Sequence, residues 1–395
     1  MITGVTRADV VIVGGGLAGG LAALAYAERQ PELRVLLVEA APTLGGNHLW
    51  SFHEGDVPAE ASALIAPLVT SRWPSYDVAF PELRREVALG YASIRSMHFD
   101  ALVRARLRGA VIHGRARHVG QHEVRLEDGR SYEARLVLDA RGPDARGAEI
   151  AGYQKFVGLE LALMKPAPRL RATVMDATVE QHDGMRFVYT LPFTPEHVLV
   201  EDTVLSDGPE LDRELYRKRA LAYAASLGLV IHRVVREEHG VLPLPMGGGG
   251  PRLPDGGDEP LVIGYQGGWF HPTTGYSFPV AVRLAWTLAG LAPDAVLAPD
   301  SPVRSLAAEV AAATRFGRLL NRLLFRATPP EERWRVLERF HRLPDETIAH
   351  FYRLQIRRRD RVRIVCGRPP RGVSWRAAVS QLHDDSAALA AREPS

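Results

Sequence analysis

Two adjacent carboxylates, Glu201 and Asp202, sit inside LVEDTVLSD (199–207), a stretch that otherwise reads as a buried strand. A strand gains little from buried charge, so an acid there needs either a cationic partner or a task. Burial disfavours the charged form, and a carboxyl kept protonated near neutral pH can donate a proton. Strand alternation puts His197, Leu199, Glu201, Thr203 and Leu205 on one face and Val198, Val200, Asp202 and Val204 on the other. Both faces are largely apolar, so alternation does not choose between the acids. An edge-strand pair bonded to Arg accounts for either one equally well.

A second constellation is Gly14-x-Gly16-x-x-Gly19, with Ala18 inside it, placed between the strand DVVIV (9–13) and an Ala- and Leu-rich helix over 17–29. The first glycine permits a tight turn, the second lets backbone approach a pyrophosphate, and the third lets helix pack on strand. The helix N-terminus then faces the phosphates. Glu39 ends the next strand, RVLLVE, twenty residues after Gly19, where it would accept from ribose hydroxyls. Strand, helix, strand and acid in register specify a dinucleotide site far better than the glycines alone.

The elements that position these residues follow from pattern. The 395 residues are too many for one simple core, and 46% hydrophobic with 24% charged residues marks a globular chain. A helix is expected over 98–108, short strands over 110–139 with an Asp-Gly turn, and more strands over 153–205. A helix follows at 210–227, then a Gly- and Pro-rich return loop, the buried strand LVIG (261–264) and a helix over 276–291. The fold class is α/β: a Rossmann-like domain over 1–150, an inserted mixed or antiparallel β-sheet substrate domain over 151–255, a return segment over 256–300, and a helical basic region over 301–395. Beginning with this unit is the habit of FAD-binding flavoproteins of the glutathione-reductase and hydroxylase types. Their two later cofactor segments resemble LVLDARG (136–142) and the stretch from Leu261 onward. The Gly-Asp pair usual in the latter is here Gly264-Tyr265.

Charge is unevenly spread. Residues 315–376 hold seventeen Arg against six Asp or Glu, so this region is strongly basic while the rest of a chain of net charge +3 is acidic. RFGRLLNRLLFRA (315–327) places Phe316, Leu319, Leu320, Leu323 and Leu324 at helical spacing with Arg between, the pattern of a helix lying in a lipid interface or packed on the body. No nucleic-acid motif accompanies the basic run, and no metal-ligand set is assigned. A single cysteine, Cys366, with no visible signal peptide, suggests a cytoplasmic setting. The longest stretch free of Asp, Glu, Lys and Arg, 260–282, is too rich in Gly and Pro to span a bilayer, so membrane contact is expected to be peripheral.

Four stretches resemble the bacterial-type lycopene β-cyclases: GGNHLWSFH (45–53), LVEDTVLSD, FHPTTGYSFPVAV (270–282) and FYRL with DRVRIVCGRPP near the C-terminus. The resemblance implies a redox-neutral isomerase that closes the ψ ends of lycopene, or a related linear carotenoid, into β-ionone rings by way of γ-carotene. It implies FAD, active in the reduced form, with NAD(P)H as the reductant that maintains it. It also implies that Glu201 is the acid, which leaves Asp202 in the substrate pocket behind that acid or as a charge on the sheet surface. His271 is the second catalytic candidate, orienting a carboxyl or receiving the ring proton. Pro272, Thr273, Thr274 and Gly275 would join the flavin site, with the last three offering backbone N–H groups, as would Gly46, His48 and Gly264. Trp50, Phe52, Phe193, Trp269 and Phe270 would line the substrate pocket, where aromatic faces attract a cation without reacting as water does. A related flavin monooxygenase, an isoprenoid reductase and a binder without turnover are the competing functions.

Overall fold

The computed structural model describes residues 5–142 and 151–365. Thr6–Val13 pairs in parallel with Val35–Glu39 on one side and Ser131–Asp139 on the other. Parallel pairing demands a crossover, and Leu17–Arg29 supplies it. Alternation along Thr6–Val13 splits the core. Val10 and Ile12 face a layer built by the helices Leu17–Arg29, Ser96–Leu107 and Phe278–Leu288, while Val11 and Val13 meet Val124 and Leu126 on the other side. The return strand is only Leu261–Val262, beside Leu138 and Asp139, shorter than LVIG suggests. It nevertheless brings the 264–277 loop back to the glycine turn.

The second sheet runs Ile231–Pro245, Ala151–Leu163, His197–Ser206, Met185–Thr194, Thr173–Asp176, Tyr76–Phe80 and Leu83–Val87. All its pairings are antiparallel except Thr173–Asp176 with Tyr76–Phe80, so the sheet is mixed and takes two strands from the first segment of the chain. One face, with Val157, Leu159, Val198, Val200 and Val204, packs under the helix Arg213–Ser226, whose N-terminus Asp212 caps by accepting from the Leu215 N–H. The other face meets the C-terminal helices Pro302–Arg326 and Arg333–Phe340.

Two elements depart from the sequence reading. GGNHLWSFH, for which the pattern predicts no element, contains the strand Leu49–His53, paired with Tyr91–Arg95 in a small third sheet. Ile231–Pro245 is a fifteen-residue strand, hidden by its charges and by Pro243 and Pro245. It is a sheet edge, where prolines and charges are tolerated because one side of the backbone has no ladder to complete.

The 315–327 stretch belongs to a 25-residue helix, Pro302–Arg326, capped by Ser301. It packs on the body: Leu324 and Phe325 are buried, Leu319, Leu320 and Leu323 are half-buried, and Asn321 donates to the carbonyls of Pro245 and Pro272. Among the described residues no helix is long and apolar enough to cross a membrane. Cys366 and the rest of the basic run lie outside the described residues.

Candidate active site

A cavity of about 560 Å³ opens at the glycine turn. Of the residues expected there, Gly14, Gly16, Ala18, Glu39, Gly46, His48 and Gly264 line it, as does Trp50. Gly14 holds φ +108°, and a Cβ on it would lie 2.5 Å from the Ala140 carbonyl oxygen. A Cβ on Gly19 would meet the Gly14 oxygen at 1.9 Å, so these two glycines let helix and strand approach. Gly16 differs: nothing lies within 4 Å of its Cβ position, which is open cavity. Gly16 caps Leu17–Arg29 without a side chain, and the first turn carries no acid, so unpaired N–H groups and the helix dipole are free for an anion. Glu39 accepts from the N–H groups of Gly15 (2.6 Å) and Ala41 (2.7 Å), which fixes its carboxylate at the cavity wall. Thr43, Arg115, Arg141 and Ser277 also line the cavity. The set fits a dinucleotide: small residues where phosphates approach, cationic side chains nearby, and an anchored acid for a sugar.

The acids occupy one face of the second sheet. Gly158 pairs with Glu201 on one side and Glu238 on the other, and Tyr189 pairs with Glu201 from the next strand. The row Glu238, Gly158, Glu201, Tyr189 therefore crosses four strands at one level. Arg95 pairs with Glu160 (2.8 Å), and Arg236 pairs with Glu238 (2.7 Å) and Glu160 (3.5 Å). Glu201 has no such partner among the described residues and accepts only from the Thr203 hydroxyl, at 3.1 Å. Three carboxyls share two guanidiniums, and Glu201 is the one that makes no ion pair with either. Burial, then the neighbouring Glu238 charge, pushes the Glu201 carboxyl up to about 8.

Asp202 does not share this space. It is fully buried on the opposite face, against the helix Arg213–Ser226, and accepts from Arg186 Nε at 2.6 Å. The expectation that it lies in the substrate pocket is corrected by the same alternation that separates it from Glu201. Asp202→Ala should cost about 3–5 kcal/mol of stability, because Arg186 would be left buried without its anion. Denaturant unfolding measures this, and the folded fraction should retain its acid chemistry.

His271 is also placed differently. Its ring is buried, Nε2–H donates to the Phe351 carbonyl (2.9 Å), and Nδ1 accepts from the Thr273 N–H (3.1 Å). Both nitrogens are occupied, and burial lowers its pKa to about 3. The ring ties the 271–276 turn to the helix Asp345–Tyr352 and is not positioned to receive a proton. Pro272 packs on Gly317 and Gly275 on Leu242, while Thr273 and Thr274 line an apolar cavity, not the glycine cavity. The helix begins only at Phe278, which leaves Ser277 as the residue of this stretch at the glycine cavity.

The aromatic expectations divide. Phe52 stacks on Phe278 at 3.9 Å, and Trp269 is fully buried with its indole N–H on the Val262 carbonyl, so both belong to the core of the dinucleotide domain. Phe270 stacks on Tyr265 at 3.7 Å. Phe193 lies under the Arg95 guanidinium at 4.4 Å, near the acid row. The apolar cavity, about 210 Å³, is instead lined by Tyr189, Tyr276, Tyr352, Phe340, Leu320 and Leu324 among others. Its walls are the acid-bearing sheet face and the C-terminal helices. Tyr189 thus joins Glu201 to the apolar cavity, and the Gly46–Trp50 stretch reaches from the glycine cavity to the same sheet, where Asn47 accepts from Arg236 and donates to the Glu237 carbonyl.

A family model described as lycopene cyclase protein matches residues 9–378. The chain belongs to the lycopene cyclase family. It is 41% identical to the lycopene beta-cyclase of Pantoea ananas over 364 residues, covering 92% of this chain and 95% of that one. It is likewise 41% identical to the lycopene beta-cyclase of Pseudescherichia vulneris over 385 residues, covering 95% and 98%.

Solved structures share the fold. A geranylgeranyl bacteriochlorophyll reductase-like protein from Thermoplasma acidophilum superposes with TM-score 0.59 at 14% identity, covering 96% of this chain and 97% of that one. A flavin-dependent halogenase from Xanthomonas campestris gives 0.58 at 15%, covering 99% and 97%. In this lycopene cyclase family member, as in those structures, a Rossmann-like flavoprotein frame carries an inserted sheet. Sequence reasoning missed Glu238, Arg236, Arg95, Tyr189 and Tyr276. The alternation of Arg236 and Glu238 was the available signal, concealed by the prolines that follow.

Proposed function

We propose that this chain is a lycopene β-cyclase in which Glu201 starts ring closure by proton donation. The observation that carries the reading is the Glu201 carboxyl, without an ion pair among the described residues and paired across the strands with Tyr189, which lines the apolar cavity. Glu201 delivers its proton to the terminal double bond of a ψ end, giving a tertiary cation. The neighbouring double bond attacks that cation, and loss of a ring proton restores neutrality, so one proton enters, one leaves, and no electrons are exchanged. Tyr189, Tyr276 and Tyr352 offer ring faces to a cation and exclude the water that would trap it. When bound in its reduced form, with NAD(P)H as the reductant that maintains it, FAD would supply an electron-rich ring that stabilises developing positive charge. Gly14, Gly16, Gly19, Glu39 and the cationic Arg115 and Arg141 would hold it.

The polyene comes from a bilayer. The helix Arg358–Val365 contributes Arg363, Ile364 and Val365 to the apolar cavity while Val362 is 57% exposed, which suits a peripheral contact on the cytoplasmic side.

Turnover of lycopene in deuterium oxide tests the reaction class. Solvent deuterium should enter each ring formed, without oxygen uptake and without stoichiometric NAD(P)H oxidation. Oxygen and NAD(P)H consumption would identify a monooxygenase, and NAD(P)H consumption alone a reductase.

A further inference from the structure

Glu238 and Arg236 have no part in the chemistry above, yet they stand beside its acid. A Cβ on Gly158 would lie 2.8 Å from Glu201 Oε2 and 3.4 Å from Glu238 Cγ, so the two acidic side chains converge over a residue that has none. Glu238 is 5% exposed and Glu160 3% exposed, so two of the three acids are buried, and Glu201 is half-buried beside them. Among the described residues, the charged and titratable groups around Glu201 on this face come from several elements. The edge strand brings Arg236 and Glu238, the central strand Glu160, the strand Met185–Thr194 Tyr189, and the strand Tyr91–Arg95 its two terminal residues. His48 comes from the loop above, where it feels Arg236. Asp202, with Arg186, lies behind the sheet.

We propose that Glu238 is a positioning residue that keeps the catalytic proton on Glu201. Two carboxyls this close in a low-dielectric space do not both ionise cheaply, so the pair shares one charge. Arg236 biases where that charge sits, because its guanidinium pairs with Glu238 and Glu160 and acts on Glu201 only at longer range. Asn47 holds the same guanidinium through its side-chain oxygen at 2.9 Å, which fixes Arg236 in place. Glu160 is neutralised from the other side by Arg95. Burial raises both carboxyls, Arg236 opposes that rise at Glu238, and charge on Glu238 adds to burial in making ionisation of Glu201 costly.

The inference rests on Glu201 as the acid, and the test separates the two. Cyclisation of lycopene in phospholipid vesicles by the FAD-loaded enzyme is followed against pH. Wild-type activity should fall as pH rises through about 8. In Glu238→Gln this limb should move down by about one to two pH units, while the rate at mildly acid pH stays within a few-fold. Arg236→Lys, which keeps the cation, should leave the limb near its wild-type position. An unmoved limb in Glu238→Gln, or equal loss at all pH values, would mean that Glu238 only supports the fold. Should Glu238→Gln fail to fold, infrared titration of the wild-type protein decides the matter. The protonated-carboxyl band at neutral pH should be the one missing from Glu201→Gln, and its persistence in that variant would overturn the inference. Normal ring formation by Glu201→Gln would instead remove the acid assignment beneath it.

Discussion

Glu201→Gln is expected to abolish ring formation, by about 10³-fold or more, while leaving the fold and flavin binding unchanged. The amide matches the carboxyl in size and can still accept from Thr203, so the sheet face loses no packing. It has no proton acidic enough for an alkene. Product analysis in a lycopene-accumulating host, together with the flavin absorbance of the purified variant, checks both halves. Ring formation at the wild-type rate would reject Glu201 as the donor. The same residue sets two signs of pH dependence. The protonated form is the active one, so activity is full well below about 8 and is lost as pH rises through that value. For stability, the folded-state value lies above the ordinary 4.5. Burial of neutral Glu201 therefore contributes fully below about 4.5, and that contribution is lost progressively as pH rises to about 8. Glu201→Gln should lack this decline and become more stable relative to wild type in alkaline solution, as denaturant midpoints at several pH values would record.

What could be read before the structure was local. The turn at Gly14–Gly19, the helix that follows and the anchoring of Glu39 are set by neighbours within about thirty residues, so spacing carries them. Alternation correctly put Glu201 and Asp202 on opposite faces, but it could not say which face meets a helix and which meets a cavity. That decision belongs to Arg213–Ser226 and Pro302–Arg326, which cover the sheet from opposite sides. Two of the aromatic residues misled for the same reason. Phe52 and Trp269 sit in motifs rich in functional residues, but their partners are Phe278 and the Val262 carbonyl in the domain core. His271 carried the right residue type for catalysis, and only the distances to Phe351 and Thr273 reveal that its nitrogens are spent. Glu238 was invisible because an edge strand obeys looser rules than a central one.

Gly16→Val should uncouple cofactor binding from folding at the glycine turn. Gly14 and Gly19 cannot serve this purpose, because a side chain on either would strike backbone and disturb the turn itself. Gly16 has φ −70° and ψ −171°, an extended conformation that a β-branched residue adopts readily, and its Cβ position has no neighbour within 4 Å. The added methyls would project into the space where the helix N-terminus offers its N–H groups. The folded protein should keep its stability within about 1 kcal/mol, since nothing in the core moves. Flavin affinity should fall by about 100-fold, or ~2.7 kcal/mol, because the phosphates lose both their close approach and the helix dipole. Titration of the apoprotein with FAD, read by flavin fluorescence, measures this without reference to turnover. The protonated Glu201 carboxyl should survive in this variant, as its partners lie on the other sheet. Full flavin affinity in a folded Gly16→Val protein would show that the cavity at the glycine turn is not where the dinucleotide binds.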